Sequence, residues 1–511
     1  MLLAMLGIIL SLAFLITMAY RGHSVVVIAP IAALIAVVFS WDHLLASYTQ
    51  VFMPAAGGFI ISFFPLFLAG AIFGRLMSVS GYAEDLARWV PRIFGPKRAI
   101  LITAIVTALL TYGGVSAWVI AFTIVPIAKP LFQHANISLK LMPAAIALGI
   151  FTFATAALPG SPQIHNAIPT PFFNTTTFAA PILGVIGAVI TFGLGMMWLN
   201  WRERSLLRKG EGYVDISTSA IDGAGTTIPV SSATDSYSDT GLDESAGGVA
   251  SGGSNGLRNA PTVTLEKRGT AAGSPDIVRR GLIGLLPILV VVGVNATFVY
   301  LISPHLNFDY LSEKRFGSTD LSSVLGTWSV TLGLVAAIAL IFICRPRSVV
   351  HYFSALSEGA RNAVLPVFTT ASEVGYGAVI ASLAVFAVLQ DQLFDLSDNP
   401  AVLGVVATAV ISALTGSSSG GLSITMQTFG QQLAQMAQDQ GISLDFLHRV
   451  VAMASVSLDS LPHNGAIVTL LLVCGLTHRQ AYKDIGVVTV VVPFIGVIAV
   501  LALGLAVPAL T

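Results

Sequence analysis

The chain has 511 residues, of which 55% are hydrophobic and 10% charged, with a mean hydropathy of +0.84. Soluble domains carry about 25% charged residues, and a soluble chain of this length would divide into several domains with polar surfaces; those residues are missing, so lipid must cover much of the outside. A formal net charge of zero gives no sign of nucleic-acid binding, and the two cysteines, Cys344 and Cys474, lie in apolar runs that support neither a disulfide framework nor a metal cluster.

The first apolar run, MLLAMLGIILSLAFLITMAY, has no basic segment before it and no small-x-small cleavage site, so it reads as a retained first span. Runs able to cross about 30 Å of hydrocarbon follow at 23–40, 56–76, 99–111, 114–132, 141–158 and 176–200. After a polar gap they resume at 281–302, 321–344, 362–390, 401–414, 446–458, 463–476 and 485–508. None alternates with period two, which argues against a β-barrel. Several are too short, or too rich in Gly, Ser and Pro, to be simple helices.

Residues 210–278 contain no Phe, Trp, Met or Cys and are rich in Ser, Gly, Thr, Ala and Asp. Such a composition cannot bury enough apolar surface to offset chain entropy, so it predicts a disordered tether. The chain thus divides into a first membrane repeat over 1–200, a cytoplasmic linker over 201–280 and a second membrane repeat over 281–511.

The two membrane parts repeat in order. FFPLF (63–67) matches VLPVF (364–368), LLTYGGVSAW (109–118) matches ALTGSSSGGL (413–422), ANISLKLM (135–142) matches QGISLDFL (440–447), and LPGSPQIHNAIPT (158–170) matches SLPHNGAIVT (460–469) with a small gap. The offset stays at about 300 residues. Arg202, Arg204, Arg208 and Lys209 precede the linker and Arg279 and Arg280 end it, which predicts that the linker is cytoplasmic. Arg345, Arg347 and Arg361 mark another inside loop, as do Arg75, Arg88, Arg92, Lys97 and Arg98. The counterpart of that last segment, DQLFDLSDNP (391–400), has acids and no base and falls outside. Equivalent loops with opposite charge character are the mark of inverted repeats. The expected fold is therefore an all-α polytopic membrane protein of two inverted-topology repeats with broken helices, both termini outside.

Inverted repeats place a binding site where broken helices expose backbone groups. The first candidate pair is Thr111, Gly113, Gly114 and Ser116 against Thr415, Gly416, Ser417, Ser418, Ser419, Gly420 and Gly421. Glycine lets backbone approach a ligand closely, hydroxyls bond without a buried charge, and free N–H groups at half-helix starts favour anions. Small residues also line ordinary contacts between membrane helices, but a duplicated cluster favours a site. The second pair is Pro159, Gly160, Ser161, Pro162, Gln163, His165, Asn166 and Thr170 against Asp459, Ser460, Pro462, His463, Asn464, Gly465 and Thr469. A lone membrane histidine is usually a packing residue; two in corresponding places, each beside Asn and near Pro, point to binding.

Asp459 is the one acid in 446–476. An ionisable group at membrane depth is a functional candidate, and a desolvated carboxyl can carry a proton, although an Asp in a loop can also cap a half-helix. Glu373, in TTASEVGYGA, is a second candidate, and His463, which titrates near neutral pH, is a third.

SLDSLPHNGAIVTLL (457–471), LTGSSSGG (414–421) and GSPQIHNAIPT (160–170) resemble the gluconate/proton symporter (GntP) family, within the wider ion-transporter superfamily of citrate and dicarboxylate carriers. The resemblance covers both membrane parts and leaves out the linker. It implies re-entrant hairpins, a homodimer, elevator-like movement of a transport domain and multi-pass placement in the cell inner membrane. It also implies symport of a small organic anion, a gluconate-like sugar acid or a hydroxy acid such as 3-hydroxybutyrate, with protons, and no cofactor. The alternative is a sodium-coupled citrate or dicarboxylate carrier. Other classes fit less well. Ser460, Asp459 and His463 are too close in sequence to face one another as a hydrolase triad, and no GxSxG occurs. A channel would not accumulate its solute, and no GxxxxGK[ST] marks an ATP-driven pump.

Overall fold

The computed structural model describes residues 2–21, 23–95, 97–115, 117–213, 219–221, 227–229, 275–345, 349–386, 397–462 and 464–510. Within them the chain separates into a unit formed by Met1–Val214 with Ile277–Thr511, and a second unit, Asp215–Asp276. In the second unit Ser219–Ile221 pairs antiparallel with Thr227–Pro229, Ala220 opposite Ile228. Of the expected 201–280 linker, residues 201–208 continue the helix Pro181–Arg208 and 275–280 begin the helix Pro275–Thr297, so the linker is shorter at both ends; 214–218, 222–226 and 230–274 lie outside the described residues.

The first unit is helical throughout, because apolar runs in lipid can satisfy their backbone only within the helix itself. In its first half the helices are α1 (Leu2–Tyr20), α2 (Val25–Phe39), α3 (Leu44–Val79), α4 (Tyr82–Phe94), α5 (Ala99–Tyr112), α6 (Ala117–His134), α7 (Met142–Ile150) and α8 (Pro181–Arg208). Short helical turns, Ile164–Ala167 and Thr170–Phe173, lie between α7 and α8. The second half has α9 (Pro275–Thr297), α10 (Leu321–Cys344), α11 (Val349–Ser382), α12 (Pro400–Thr415), α13 (Ser418–Asp439), α14 (Leu444–Ser455), α15 (Gly465–Cys474) and α16 (His478–Ala506).

The repeat read from sequence is a repeat of architecture. Helices α5 and α6 form one hairpin and α12 and α13 the other; α7 and α14 each stop at a break, after which short helices resume. The packing is exchanged when the halves are exchanged. Helix α2 packs on α11 as α10 packs on α3, α5 meets α7 as α12 meets α14, and α5 touches α8 as α12 touches α16. The pairs α3 with α11 and α8 with α16 map onto themselves. In each half the crossings are three straight helices, the broken segment and one last helix, an odd number, while the hairpin returns to its own side. An odd number of crossings inverts the second half relative to the first.

Two helices were not among the expected spans. Helix α13 carries SSGGLSITMQTFGQQLAQMAQD, too polar to register as a membrane run, yet it is the counterpart of α6 and the second arm of a hairpin. Helix α4 is amphipathic, burying Tyr82, Leu86 and Val90 and leaving Arg88 and Arg92 exposed. The expected 362–390 span also starts earlier, at Val349, and its helix stops at Ser382.

Burial separates lining from interior. The window over Leu139–Ala156 is 83% buried, against 33% for Leu321–Cys344, so the broken segment is enclosed by protein while the straight helix faces lipid. Exposed Ile61, Val189, Ile343 and Leu365 belong to such lipid-facing surfaces. Ion pairs gather at one end of the helices: Arg75 with Glu358 at 2.8 Å, Arg345 with Asp85 at 2.6 Å, Lys140 with Glu211 at 2.8 Å and Arg202 with Asp484 at 2.7 Å. The segments of Arg75, Asp85, Arg202, Glu211, Arg345 and Glu358 are ones that the distribution of Lys and Arg assigns to one side in the sequence reading. Side chains start the second-half helices. Asn399 accepts the N–H groups of Ala401 and Val402, Ser443 that of Phe446, and Asn464 those of Ala466 and Ile467. Each such cap is worth about 1 kcal/mol.

Candidate functional site

The tip of the second hairpin is built by one turn. Helix α12 ends at Thr415, Gly416 takes the left-handed conformation (φ 62°) that glycine adopts without strain, and Ser417 starts α13. The Ser417 hydroxyl accepts the Gly420 N–H at 3.1 Å and donates to Glu373 Oε2 at 3.2 Å. Glu373 comes from the middle of α11 and is 3% exposed. The next residue, Ser418, has its Oγ 2.8 Å from His165 Nε2 in the first-half break, and lies near the Asp459 carboxyl in the second-half break. Two adjacent hydroxyls therefore join the tip to buried Glu373 and to the break of the other half, with a second buried acid, Asp459, nearby.

Each break is held by its asparagine. Asn464 donates to the Asp459 carbonyl at 3.0 Å while its Oδ1 caps α15, and Ser460 donates to Asp459 Oδ1 at 3.0 Å. In the first half Asn166 donates to Leu158 O and Ser161 O, Ser161 donates to Ala154 O, and Gln163 donates to Thr111 O at 2.7 Å. His165 Nδ1 is buried and has no hydrogen-bond partner among the described residues.

The expected residues thus fall into two groups. Ser417, Ser418, Gly420, Glu373, Asp459 and His165 form one connected set, with Gly416 shaping the turn, Ser419 following it in the first turn of α13, and Asn166, Ser161 and Asn464 holding the breaks. The first tip is different. The Thr111 hydroxyl is spent on Thr107 O within its own helix, as that of Thr415 is on Ile411 O. Gly113 sits against Ile288, and Gly114 (φ +93°) sits against Pro162 and Leu334, where a Cβ would have to push aside a proline ring. That tip is packed against its own break and the straight helices. Ser116 and His463 lie outside the described residues.

Neither Glu373 nor Asp459 has an ion-pair partner among the described residues. An isolated buried carboxylate is costly. Ser418→Ala removes the hydroxyl between His165 and Asp459. It is expected to weaken solute binding by about 1 kcal/mol, roughly fivefold, read as a raised KM in counterflow.

No family model matches the chain. Over 491 residues, 95% of this chain and 95% of the relative, it is 40% identical to the uncharacterized transporter YxjC of Bacillus subtilis. The chain belongs to the YxjC family of transporters. A shorter stretch of 172 residues, 34% of this chain and 39% of the relative, is 27% identical to an uncharacterized transporter of Haemophilus influenzae. Membership of the YxjC family agrees with an architecture of lipid-facing helices around broken ones.

This member of the YxjC family has site residues that the sequence reading missed. Arg449 on α14 is fully buried and donates to Ala156 O, Asn166 Oδ1, Thr177 O and Ala179 O. Asn295 on α9, also fully buried, donates to Gly160 O and to Thr177 Oγ1. Tyr112 donates to Pro159 O at 2.8 Å, and His448 Nδ1 lies 2.7 Å from Thr175 Oγ1. The signal was present: an arginine in LDFLHRVVAMAS and an asparagine in PILVVVGVNATF are polar groups at membrane depth, each a functional candidate by default.

Proposed function

We propose that the chain is a secondary transporter that imports a small organic acid, a gluconate-like sugar acid or a hydroxy acid such as 3-hydroxybutyrate, together with protons. On this reading it is a member of the gluconate/proton symporter (GntP) family, a homodimer of the cell inner membrane with both termini outside and the 210–278 region cytoplasmic. The observation that carries it is Ser418. One hydroxyl at a hairpin tip lies 2.8 Å from the imidazole of one break and near the carboxyl of the other. A solute entering between tip and breaks must replace those bonds. Its own carboxylate would repel an ionised Asp459 or Glu373, so its arrival favours their protonated forms, and that like-charge effect couples the two ligands without a long-range pathway.

The test is uptake of labelled gluconate, 3-hydroxybutyrate, citrate and malate into proteoliposomes under an imposed pH gradient or sodium gradient. Accumulation of gluconate or 3-hydroxybutyrate driven by the pH gradient alone is expected. Dependence on the sodium gradient with citrate or malate as solute would replace this reading with the dicarboxylate one. Orientation has its own test. In a variant lacking Cys344 and Cys474, a cysteine at Ser251 should be protected from an impermeant thiol reagent in intact cells, and one at Glu313, beyond the opposite ends of α9 and α10, should react. Labelling of the Ser251 position from outside would reverse the topology.

A further inference from the structure

The two breaks correspond in sequence but not in charge. Residues 151–170, which contain the first break, include no acid. The second break carries buried Asp459, and the tip beside it touches buried Glu373. On the alignment of ISLKLM (137–142) with ISLDFL (442–447), Arg449 stands where the first half has Ala144. This one arginine is a second-half residue whose bonds all go to the first half, to the break and to the turn before α8. Its Nη1 donates to Ala156 O and Asn166 Oδ1, both at 2.7 Å; Nη2 donates to Ala179 O at 2.8 Å and Thr177 O at 3.2 Å; Nε donates to Ala179 O at 3.0 Å.

Two consequences follow from chemistry. All five guanidinium N–H groups are used, so Arg449 has none free to hold a solute. The four acceptors, Ala179 O accepting twice, are neutral oxygens, so they satisfy the hydrogen bonds without cancelling the charge. The charged and titratable groups that face it are Asp445, one turn away on its own helix and exposed, Tyr112, which acts as a neutral donor to Pro159 O, and neighbouring His448. The fully buried position therefore keeps most of its positive potential, and in a low-dielectric interior that potential reaches several ångströms. It falls on Asn166, its direct partner; the preceding residue, His165, has a buried and unpartnered Nδ1. A buried polar nitrogen without a partner is costly and offers a ligand an open place.

We infer that the two breaks divide the work: the solute carboxylate seats at the first break, beside His165 and Ser161, under the field of Arg449, while the coupling cation belongs to the second break with Asp459 and Glu373. Arg449 is a positioning residue, acting through Asn166 and through its charge. The inference rests on the organic-acid reading above and adds where in the site the anion sits and what selects for it.

The experiment is gluconate counterflow in proteoliposomes of the full chain, with 3-hydroxybutyrate as second solute. Arg449→Gln keeps hydrogen bonds but removes the charge. Asn166→Asp keeps the oxygen that accepts from Arg449 but sets a carboxylate against the guanidinium; Asn166→Ala is its control. Both charge-cancelling variants should raise KM at least about tenfold with maximal rate changed less than about threefold, since the lost interaction is one of binding. Arg449→Lys should recover KM to within about threefold of the wild type, because it restores the charge without the fork. A wild-type KM in Arg449→Gln overturns the inference. So does an equal loss in Arg449→Lys, or in Asn166→Ala relative to Asn166→Asp, since geometry would then be the cause. Should Arg449→Gln fail to insert, the Asn166 pair decides. If the wild type takes up neither acid, the organic-acid reading fails and the inference with it; if the wild type transports and the variants match it, the inference alone fails.

Discussion

Asp459→Asn is expected to abolish accumulation of gluconate driven by a pH gradient while leaving counterflow of the same solute intact. Asp459 lies at the second break, 3% exposed, held by Ser460 and within reach of Ser418. An amide occupies the same space and keeps an acceptor for both hydroxyls, so the variant mimics a carboxyl that is always neutral. The empty carrier then has no proton to release on the inside, and net uphill movement stops, whereas exchange of solute for solute needs no change of protonation. The measurement is uptake with and without the imposed gradient, beside counterflow, in proteoliposomes of matched protein content. If Asp459→Asn still concentrates gluconate in response to the gradient, Asp459 is structural and Glu373 and His463 become the carriers to test. Loss of both accumulation and counterflow would assign Asp459 to solute binding instead.

Gly420→Val is expected to abolish every mode of transport while the protein still inserts. A Cβ at Gly420 would overlap the Glu373 carboxylate and crowd the Ser417 hydroxyl, the two groups that hold the tip in place. Glu373 extends from the interior of α11, which packs closely along α3, so it has little freedom to withdraw. The branched side chain must displace the tip itself, and with it Ser418, His165 and Asp459 lose their junction. Expression, detergent gel filtration and counterflow are the readouts. Counterflow within about twofold of the wild type would mean that the tip tolerates a repositioned Glu373, and would move the binding junction elsewhere. Glycine at 420 is required here for lack of space, whereas at 416 it is required for its left-handed backbone.

Much of this was legible along the chain. The spans of α1, α2, α10, α12 and α16 follow from apolar runs, because a helix in lipid must be apolar on its outer face whatever it packs against on the other. The duplication was legible too, since GGVS and GSSSGG, and the two His-Asn pairs, are local signatures that keep their order. Helix α13 escaped notice for the converse reason: Ser423 and Thr425 are buried against protein and its glutamines are exposed, so its mean hydropathy stays below that of a run read as facing lipid. The unequal roles of the two tips were also hidden. Gly113 and Gly421 look alike in sequence, yet one lies against Ile288 and the other against Ser412 of its own hairpin.

What the sequence by itself determined is a multi-pass helical membrane protein whose two halves carry corresponding interruptions. Composition, hydropathy and charge asymmetry are properties of segments, and lipid acts on each segment independently. What only the tertiary structure decided is which interruption meets which. His165 and Ser418 are 253 residues apart, and Arg449 and Asn166 are 283 apart. Such partnerships depend on how two inverted halves interlock, and no local property of either half encodes that a guanidinium from one would be spent wholly on the broken helix of the other.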